Sequence, residues 1–415
     1  MNDIKDNDYA HPDVLEEEYP GYEDEFGMPD EPKIMSASDF DILLEFCAIK
    51  GAADITLQTE MPVYAFIQGR NLRVTKRSLT ANEVDAITNY IYGSNGTSQI
   101  RKGDEIDTRH VVVRRERNEV GSMMVVSKLG FRVNITGCWS NGDENGLQIT
   151  ARSIKALPPS LDDMGIEQSI IDNLYPEQGL VCVCGPTGSG KSTLLAGGMR
   201  KLIENPDSNK KIITYESPIE YVFDDIRRSS TIVSQHEIPR HLPSFARGVR
   251  NALRRAPKVI LVGETRDMET AQAALEASQT GHVVYTTVHS KSVANTISRL
   301  SNLFLPSERM TKVFELSESF RLIIVQRLFR RADGKGLIAL REFLVFDQAV
   351  RDQLLVATSV REAEHILTKL VERYGQSMLS SAQKAFDKGL ISSDIMVVIE
   401  NESKSNLIED LGLNF

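Results

Sequence analysis

Cysteine is scarce in this chain of 415 residues: Cys47, Cys138, Cys182 and Cys184 are too few for a disulfide framework, and none forms a C-x-x-C pair. That excludes a stapled secreted scaffold and argues against zinc. Cys182 and Cys184 stand at strand spacing inside the apolar run Gly179-Leu-Val-Cys-Val-Cys184, where small buried thiols are expected. Long hydrophobic runs are also missing, since no stretch approaches the roughly 20 apolar residues a spanning helix needs. The start, Met1-Asn-Asp-Ile-Lys-Asp, has neither a basic nor an apolar leader region. The expectation is a protein of a reducing, cytoplasmic compartment, without direct membrane insertion. Surplus positive charge is absent as well. Positions 1–33 carry twelve acids against two bases, and the remainder balances at 46 of each sign. A neutral body lacks the diffuse field of a dedicated nucleic-acid binder, which argues against nucleic acid as a direct ligand.

The composition that is present, 41% hydrophobic and 26% charged, is that of a globular chain with two or three domains. Residues 1–34 read as a disordered acidic arm, too charged and too rich in Pro and Gly to offset ordering entropy. Residues 35–152 read as a small α+β domain. It has a helical pattern at Phe40–Cys47, a hairpin about Gly69, and a helix at Thr80–Tyr92 opened by Thr80 with Glu83 three residues on. Strands are expected at His110–Arg114, Met123–Val126, Phe131–Ile135 and Gln148–Arg152. Leu157-Pro-Pro-Ser160 marks a linker over 153–165, because adjacent prolines fit neither a helix interior nor a central strand. Over 166–346, apolar strands at Leu180–Cys184, Lys211–Tyr215, Val259–Val262 and Val283–Val288 alternate with helical stretches. This predicts an α/β fold with a mostly parallel, doubly wound sheet. Residues 347–415 show only helical patterns.

Gly185, Pro186, Thr187, Gly188, Ser189, Gly190, Lys191 and Ser192 fit G-x-x-x-x-G-K-[ST] between a strand and a helix, with Thr193 opening the helix. Such a loop turns its backbone N–H groups toward nucleotide phosphates at a helix N-terminus. Lys191 is expected on the β- and γ-phosphates and the Ser192 hydroxyl on Mg²⁺, so ATP and Mg²⁺ are the implied ligands. Hydrolysis further needs a group that orients water. Two apolar strands end in acids, Glu216 and Glu264, the latter after Gly263; carboxyl ends of parallel strands face the ligand crevice. Glu264 is the candidate base, with Glu216 assisting at water or the metal. His282 and His289 bracket a strand at a spacing of seven, which puts them on opposite faces; one is expected to sense phosphate. A helix from Phe245 through Ala256 is expected to carry Arg247, Arg250 and Arg254 on one face.

In that order of motifs the chain resembles the hexameric secretion ATPases of the type II/type IV secretion superfamily. The matching segments are the Walker A loop Gly185–Thr193, the acidic box Thr214-Tyr-Glu-Ser-Pro-Ile-Glu220, the Walker B segment Val259–Asp267 and the histidine box Thr280–His289. Val325-Gln-Arg-Leu328 matches a further segment. Tyr215-Glu-Ser-Pro-Ile-Glu, Ile238-Pro-Arg-His-Leu-Pro and Leu340-Arg-Glu-Phe-Leu-Val-Phe-Asp look most like the DotB and conjugal TraJ branch, which serves type IVB secretion. Ser217 and Lys258 stand where many relatives have Asp, and the cysteine-rich zinc insertion of type II relatives is missing.

The resemblance implies a RecA-like ATPase domain behind a PAS-like N-terminal domain, assembled as a homo-hexamer. Its implied partners are an inner-membrane type IV secretion complex, with that complex's other ATPase and coupling components, and recruitment is peripheral. It also implies that Arg132, in Phe131-Arg-Val-Asn134, and Arg152 reach the phosphates. A type IV pilus retraction motor is the nearest alternative. From other classes stand a DNA translocase or helicase using the arginine face, and a scaffold that binds ATP without turnover.

Overall fold

The computed structural model describes residues 26–67, 69–117, 123–154 and 157–410, and the chain divides into two compact units, Met1–Ile154 and Lys155–Phe415. Among the described residues no helix is long and apolar enough to cross a membrane.

The first unit runs α1 (Ala37–Ile49), β1 (Asp54–Gln58), β2 (Tyr64–Ile67), β3 (Arg70–Arg73), α2 (Ala81–Tyr92), α3 (Gly96–Ile100), β4 (Ile106–Arg117), β5 (Met123–Ser140) and β6 (Asp143–Ile154). Its antiparallel sheet has the order β3-β2-β1-β6-β5-β4. The strands at Met123–Val126 and Phe131–Ile135 are one long strand, because alternation continues through Gly130 without a turn signal. Helix α2 opens with the expected capping box: Thr80 accepts from the Glu83 N–H, and Glu83 Oε2 accepts from the Thr80 N–H at 2.8 Å. Glu83 also receives the Met35 N–H and an Arg77 fork, which hold its carboxyl down at about 2 despite burial.

The last residues of the expected acidic arm pack on the first unit. Residues 1–25 lie outside the described residues, but within 26–34 Met28 is buried and donates its N–H to Val74 O, and Glu31 accepts from the Lys76 and Arg77 N–H groups. Apolar side chains at Phe26 and Met28 reach the first unit's core, which composition averaged over the whole arm conceals.

The second unit runs α4 (Gln168–Asn173), β7 (Gly179–Cys184), α5 (Lys191–Glu204), β8 (Lys211–Glu216), β9 (Ile232–Glu237), α6 (Phe245–Ala252), β10 (Val259–Val262), α7 (Met268–Gln279), β11 (Val283–Val288), α8 (Val293–Ser301), α9 (Arg309–Ser319), β12 (Phe320–Arg330), β13 (Leu337–Val345), α10 (Gln348–Leu354), α11 (Val360–Tyr374), α12 (Met378–Asp387) and α13 (Ser393–Asp410). Its sheet has the order β13-β12-β7-β11-β10-β8-β9, parallel except for the edge strand β13. The four expected strands are its centre. Strands β9, β12 and β13 enlarge it, and their polar residues at Gln235, Gln326 and Arg341 are what masked them. Alternate residues of the central strands feed two cores: Cys182, Ile213 and Ile260 pack with α6 to α9, and Val181, Ile212 and Leu261 with α4 and α5.

Two expected boundaries move. Strand β6 continues to Ile154, and Leu161, in the short helix Leu161–Met164, is buried in the second unit's core, so most of the proline segment belongs to that unit. The arginine helix stops at Ala252, and Ala256 is exposed with φ +48°.

Candidate nucleotide site at the carboxyl edge of the parallel sheet

Parallel register aligns the strand ends: Cys184 of β7 faces Val288 of β11, and Val262 of β10 faces Tyr215 of β8 and Thr286 of β11. The residues that follow, Gly185, His289, Gly263 with Glu264, and Glu216, therefore gather at one edge. Gly185 turns the chain out of β7 at φ +140°. A Cβ there would lie 2.3 Å from Gln326 O and 2.6 Å from Ser189 Oγ, so only glycine fits. The loop then runs into α5, whose first residues are Lys191 and Ser192.

Lys191 Nζ donates to Gly185 O at 3.0 Å and Pro186 O at 2.9 Å, so the loop's own carbonyls hold its ammonium. Burial lowers its pKa, while the nearby Glu264 and Glu220 carboxylates favour the charged form. Phosphate oxygens entering the cradle would compete for this ammonium with far stronger charge. Thr193 Oγ1 lies 3.0 Å from Tyr221 OH, tying α5 to the acidic loop after β8.

The two candidate glutamates differ in environment. Glu216 is buried and accepts from Thr214 Oγ1 at 2.6 Å and Gln235 Nε2 at 3.2 Å; burial pushes its carboxyl up to about 7. Glu264 is partly exposed, with His289 Nε2 at 3.6 Å and Arg266 at 3.9 Å. Gly263 brings them together: its N–H donates to Tyr215 O, and a Cβ there would stand 3.2 Å from Glu216 Cα. Thr287 Oγ1 donates to Gly263 O at 2.6 Å and so fixes the turn that presents Glu264. Burial, followed by the charge of Lys191, lowers the His289 pKa, which keeps that imidazole neutral near pH 7. Asp267, also in the Walker B segment, caps α7 by accepting from the Thr270 N–H at 2.8 Å.

His282 is not brought to this edge. It precedes β11 at the opposite end of the sheet, about 20 Å of strand from the loop, and contacts Ala277 O at 3.1 Å where α7 ends. A histidine at each end of a six-residue strand cannot serve one ligand in the same chain. Arg132 and Arg152 lie in the first unit as direct cross-strand neighbours. Arg132 binds Asp107 and Arg152 forks onto Asp54, both exposed. Arg247, Arg250 and Arg254 line an open cleft of about 370 Å³ with Leu242 and Asn251.

Sequence reading missed Gln235 and Gln326. Gln235 bridges Glu216 and Tyr221 O, and Gln326 donates to Ser189 O in the phosphate loop at 2.7 Å. The signal for Gln326 was an amide ending the apolar run Leu322–Val325, inside a segment already noted.

The family model described as "Type II/IV secretion system protein" matches residues 122–386. The chain belongs to that family. Among curated members it is 32% identical over 314 residues to the type IV pilus retraction ATPase PilT of Pseudomonas aeruginosa, spanning 76% of this chain and 84% of that protein. The X-ray structure of the Legionella pneumophila ATPase DotB is 45% identical, with a TM-score of 0.82 over 90% of this chain and 98% of that one. The pilus retraction motor PilT with bound ADP superposes with a TM-score of 0.71 at 28% identity, over 86% of this chain and 96% of that one. The family match includes every segment of the edge described above.

Proposed function

We propose that this protein is an ATP hydrolase that powers a type IV secretion system of the type IVB kind, working as a homo-hexameric ring recruited peripherally to the inner-membrane complex. The observation that carries the reading is the convergence of the Lys191 loop with Glu264 and Glu216 at one sheet edge; the 45% identity to DotB supports the branch. Lys191 and the loop amides bind the phosphates. Glu264, partly open to solvent, orients or deprotonates the attacking water, with His289 beside it; Glu216 holds the acidic loop against β9.

The donor chemistry fits Mg²⁺: the Ser192 hydroxyl, a hard oxygen donor in the first turn of α5, would hold the ion beside the nucleotide phosphates. Bound there, the ion would neutralise charge on the transferring phosphoryl group. Glu216 would meet it only through water or after losing its proton. Arg132 and Arg152 are proposed to supply further positive charge to the phosphates.

Retraction of a pilus is the second reading, favoured by the 32% identity to PilT. ATP turnover per subunit should rise with protein concentration as the ring forms and ignore single-stranded DNA, with Glu264→Gln as the blank. Strong stimulation by DNA would move the assignment to a translocase using the Arg247, Arg250 and Arg254 cleft. Whether deletion of the gene stops protein secretion or twitching separates the two secretion-family readings.

A further inference from the structure

One chain of hydrogen bonds, buried in its first two links and half-buried beyond them, leaves the phosphate loop and ends on the opposite side of β13. Gln326 follows β12 residue Val325, which pairs with Cys184, so its amide lies directly beside the loop. Its Nε2 donates to Ser189 O at 2.7 Å, while its Oε1 accepts from Arg341 Nε at 2.8 Å. Gln326 and Arg341 are also register partners on β12 and β13, and both are fully buried. Arg341 spends its remaining donors on the segment that leads into the second unit. These go to Gly165 O at 3.0 Å, Glu167 Oε2 at 3.1 Å and Met164 O at 3.2 Å. Glu167 Oε1 accepts from Gln376, and Gln376 in turn accepts from Lys384 of α12 at 2.7 Å.

A buried guanidinium costs several kcal/mol of desolvation, and nothing about closing the β12–β13 hairpin requires one. An apolar side chain would fill the position at no such cost. What the arginine adds is a rigid fork that ties three acceptors of the Met164–Glu167 segment to one amide. That amide cannot rotate: turning it would put a carbonyl oxygen against Ser189 O and an NH₂ group against the guanidinium. Any displacement of Ser189 O therefore moves Gln326 as a body and loads Arg341. The loop has such a displacement available. Its lysine is held by its own carbonyls, and Ser189 Oγ is buried with no partner, so phosphate capture at Lys191 would leave the loop with different bonds to satisfy.

We propose that Gln326 is a positioning residue of the phosphate loop, and that Arg341 passes the loop's nucleotide-dependent shift to the Met164–Glu167 segment and to α12. The proposal rests on the ATPase reading and extends it by naming the route from the loop to the segment next to the junction of the units. A rival route exists in the same unit. Helix α5 packs directly on the lead-in segment, with Arg200 donating to Pro158 O at 2.7 Å and Gly197 against Met164. Variants at Gln326 leave that packing untouched, which is what makes the two routes separable.

The test is amide hydrogen exchange of the full-length protein with and without ADP, beside ATP turnover and the thermal midpoint. In the wild type ADP should slow exchange in the phosphate loop and change it over Leu161–Glu167 and Met378–Asp387. In Gln326→Leu the loop should still respond, while the response at the two remote segments falls by about threefold or more. Arg341→Lys, which keeps the charge but loses the fork, should do the same. Should Gln326→Leu fail to fold, Gln326→Glu retains the bond to Arg341 and turns a repelling carboxylate oxygen toward Ser189 O, breaking only the first link. Remote responses retained in the Gln326 variants, or absent from the wild type, would overturn the relay with the ATPase reading intact. A wild-type protein that neither binds ADP nor turns over ATP would instead sink the functional reading, and the relay with it.

Discussion

Lys191 and Glu264 have the two central roles in the proposed chemistry at the residue scale, and their substitutions should separate. Lys191→Ala removes the charge that captures phosphate, so nucleotide binding measured by equilibrium titration should be lost. Glu264→Gln keeps that charge and should bind ATP while turnover falls by about 10²- to 10⁴-fold; normal turnover would remove Glu264 from its role. Glu216 predicts a pH dependence. Its folded-state carboxyl titrates at about 7 against an ordinary value of 4.5, so the folded protein keeps a proton that the unfolded chain has released. Its contribution to stability is full below about 4.5, is lost as pH rises to about 7, and is constant above. Glu216→Gln should therefore flatten the fall in unfolding free energy across that window, by about 3 kcal/mol at most. Glu342, half-buried and accepting from the Val293 N–H, is raised by desolvation to about 7 as well, so a residual slope should survive until it too is replaced.

At the scale of elements, the site depends on how closely β8 and β10 approach at their ends. Gly263→Ala would place a Cβ 3.2 Å from Glu216 Cα, which forces a few tenths of an ångström between the two acidic turns. Turnover should fall about tenfold with little change in nucleotide affinity, as steady-state kinetics would report. In the first unit, Glu83 is the single acceptor that joins the Met35 N–H, the Thr80 N–H and Arg77. Glu83→Ala should cost about 2–4 kcal/mol in denaturant unfolding, because it strands buried donors as well as a helix cap. A loss below about 1 kcal/mol would mean water replaces the carboxylate there.

For the whole molecule, each unit has a core of its own. Residues 1–154 should unfold cooperatively when expressed alone, with Phe40, Leu43, Phe131 and Ile149 among the side chains that build that core. Near-UV circular dichroism during denaturation would check this. ATP hydrolysis is expected of the full chain only, and its rise with concentration is the measurement that tests a shared, ring-dependent site.

The nucleotide loop, the two acidic strand ends and the central parallel strands were legible in the amino-acid order, because each rests on contiguous chemistry. Glycines sit at fixed offsets before a lysine, and an acid follows an apolar run. The capping box of α2 is local in the same way. Strands β9, β12 and β13 were not legible, since Gln235, Gln326 and Arg341 look like surface residues until partners distant in the chain satisfy them. His282 shows the converse: a spacing of seven says that two histidines flank a strand, but only the sheet's direction says which one reaches the phosphate edge. Local pattern determined the central strands, the α2 cap and the glycine–lysine loop that is the candidate phosphate cradle. Which strand ends meet, which buried polar group finds which partner, and where the acidic arm begins to pack were decided by the tertiary structure, because each is a contact between segments whose sequences carry no trace of one another.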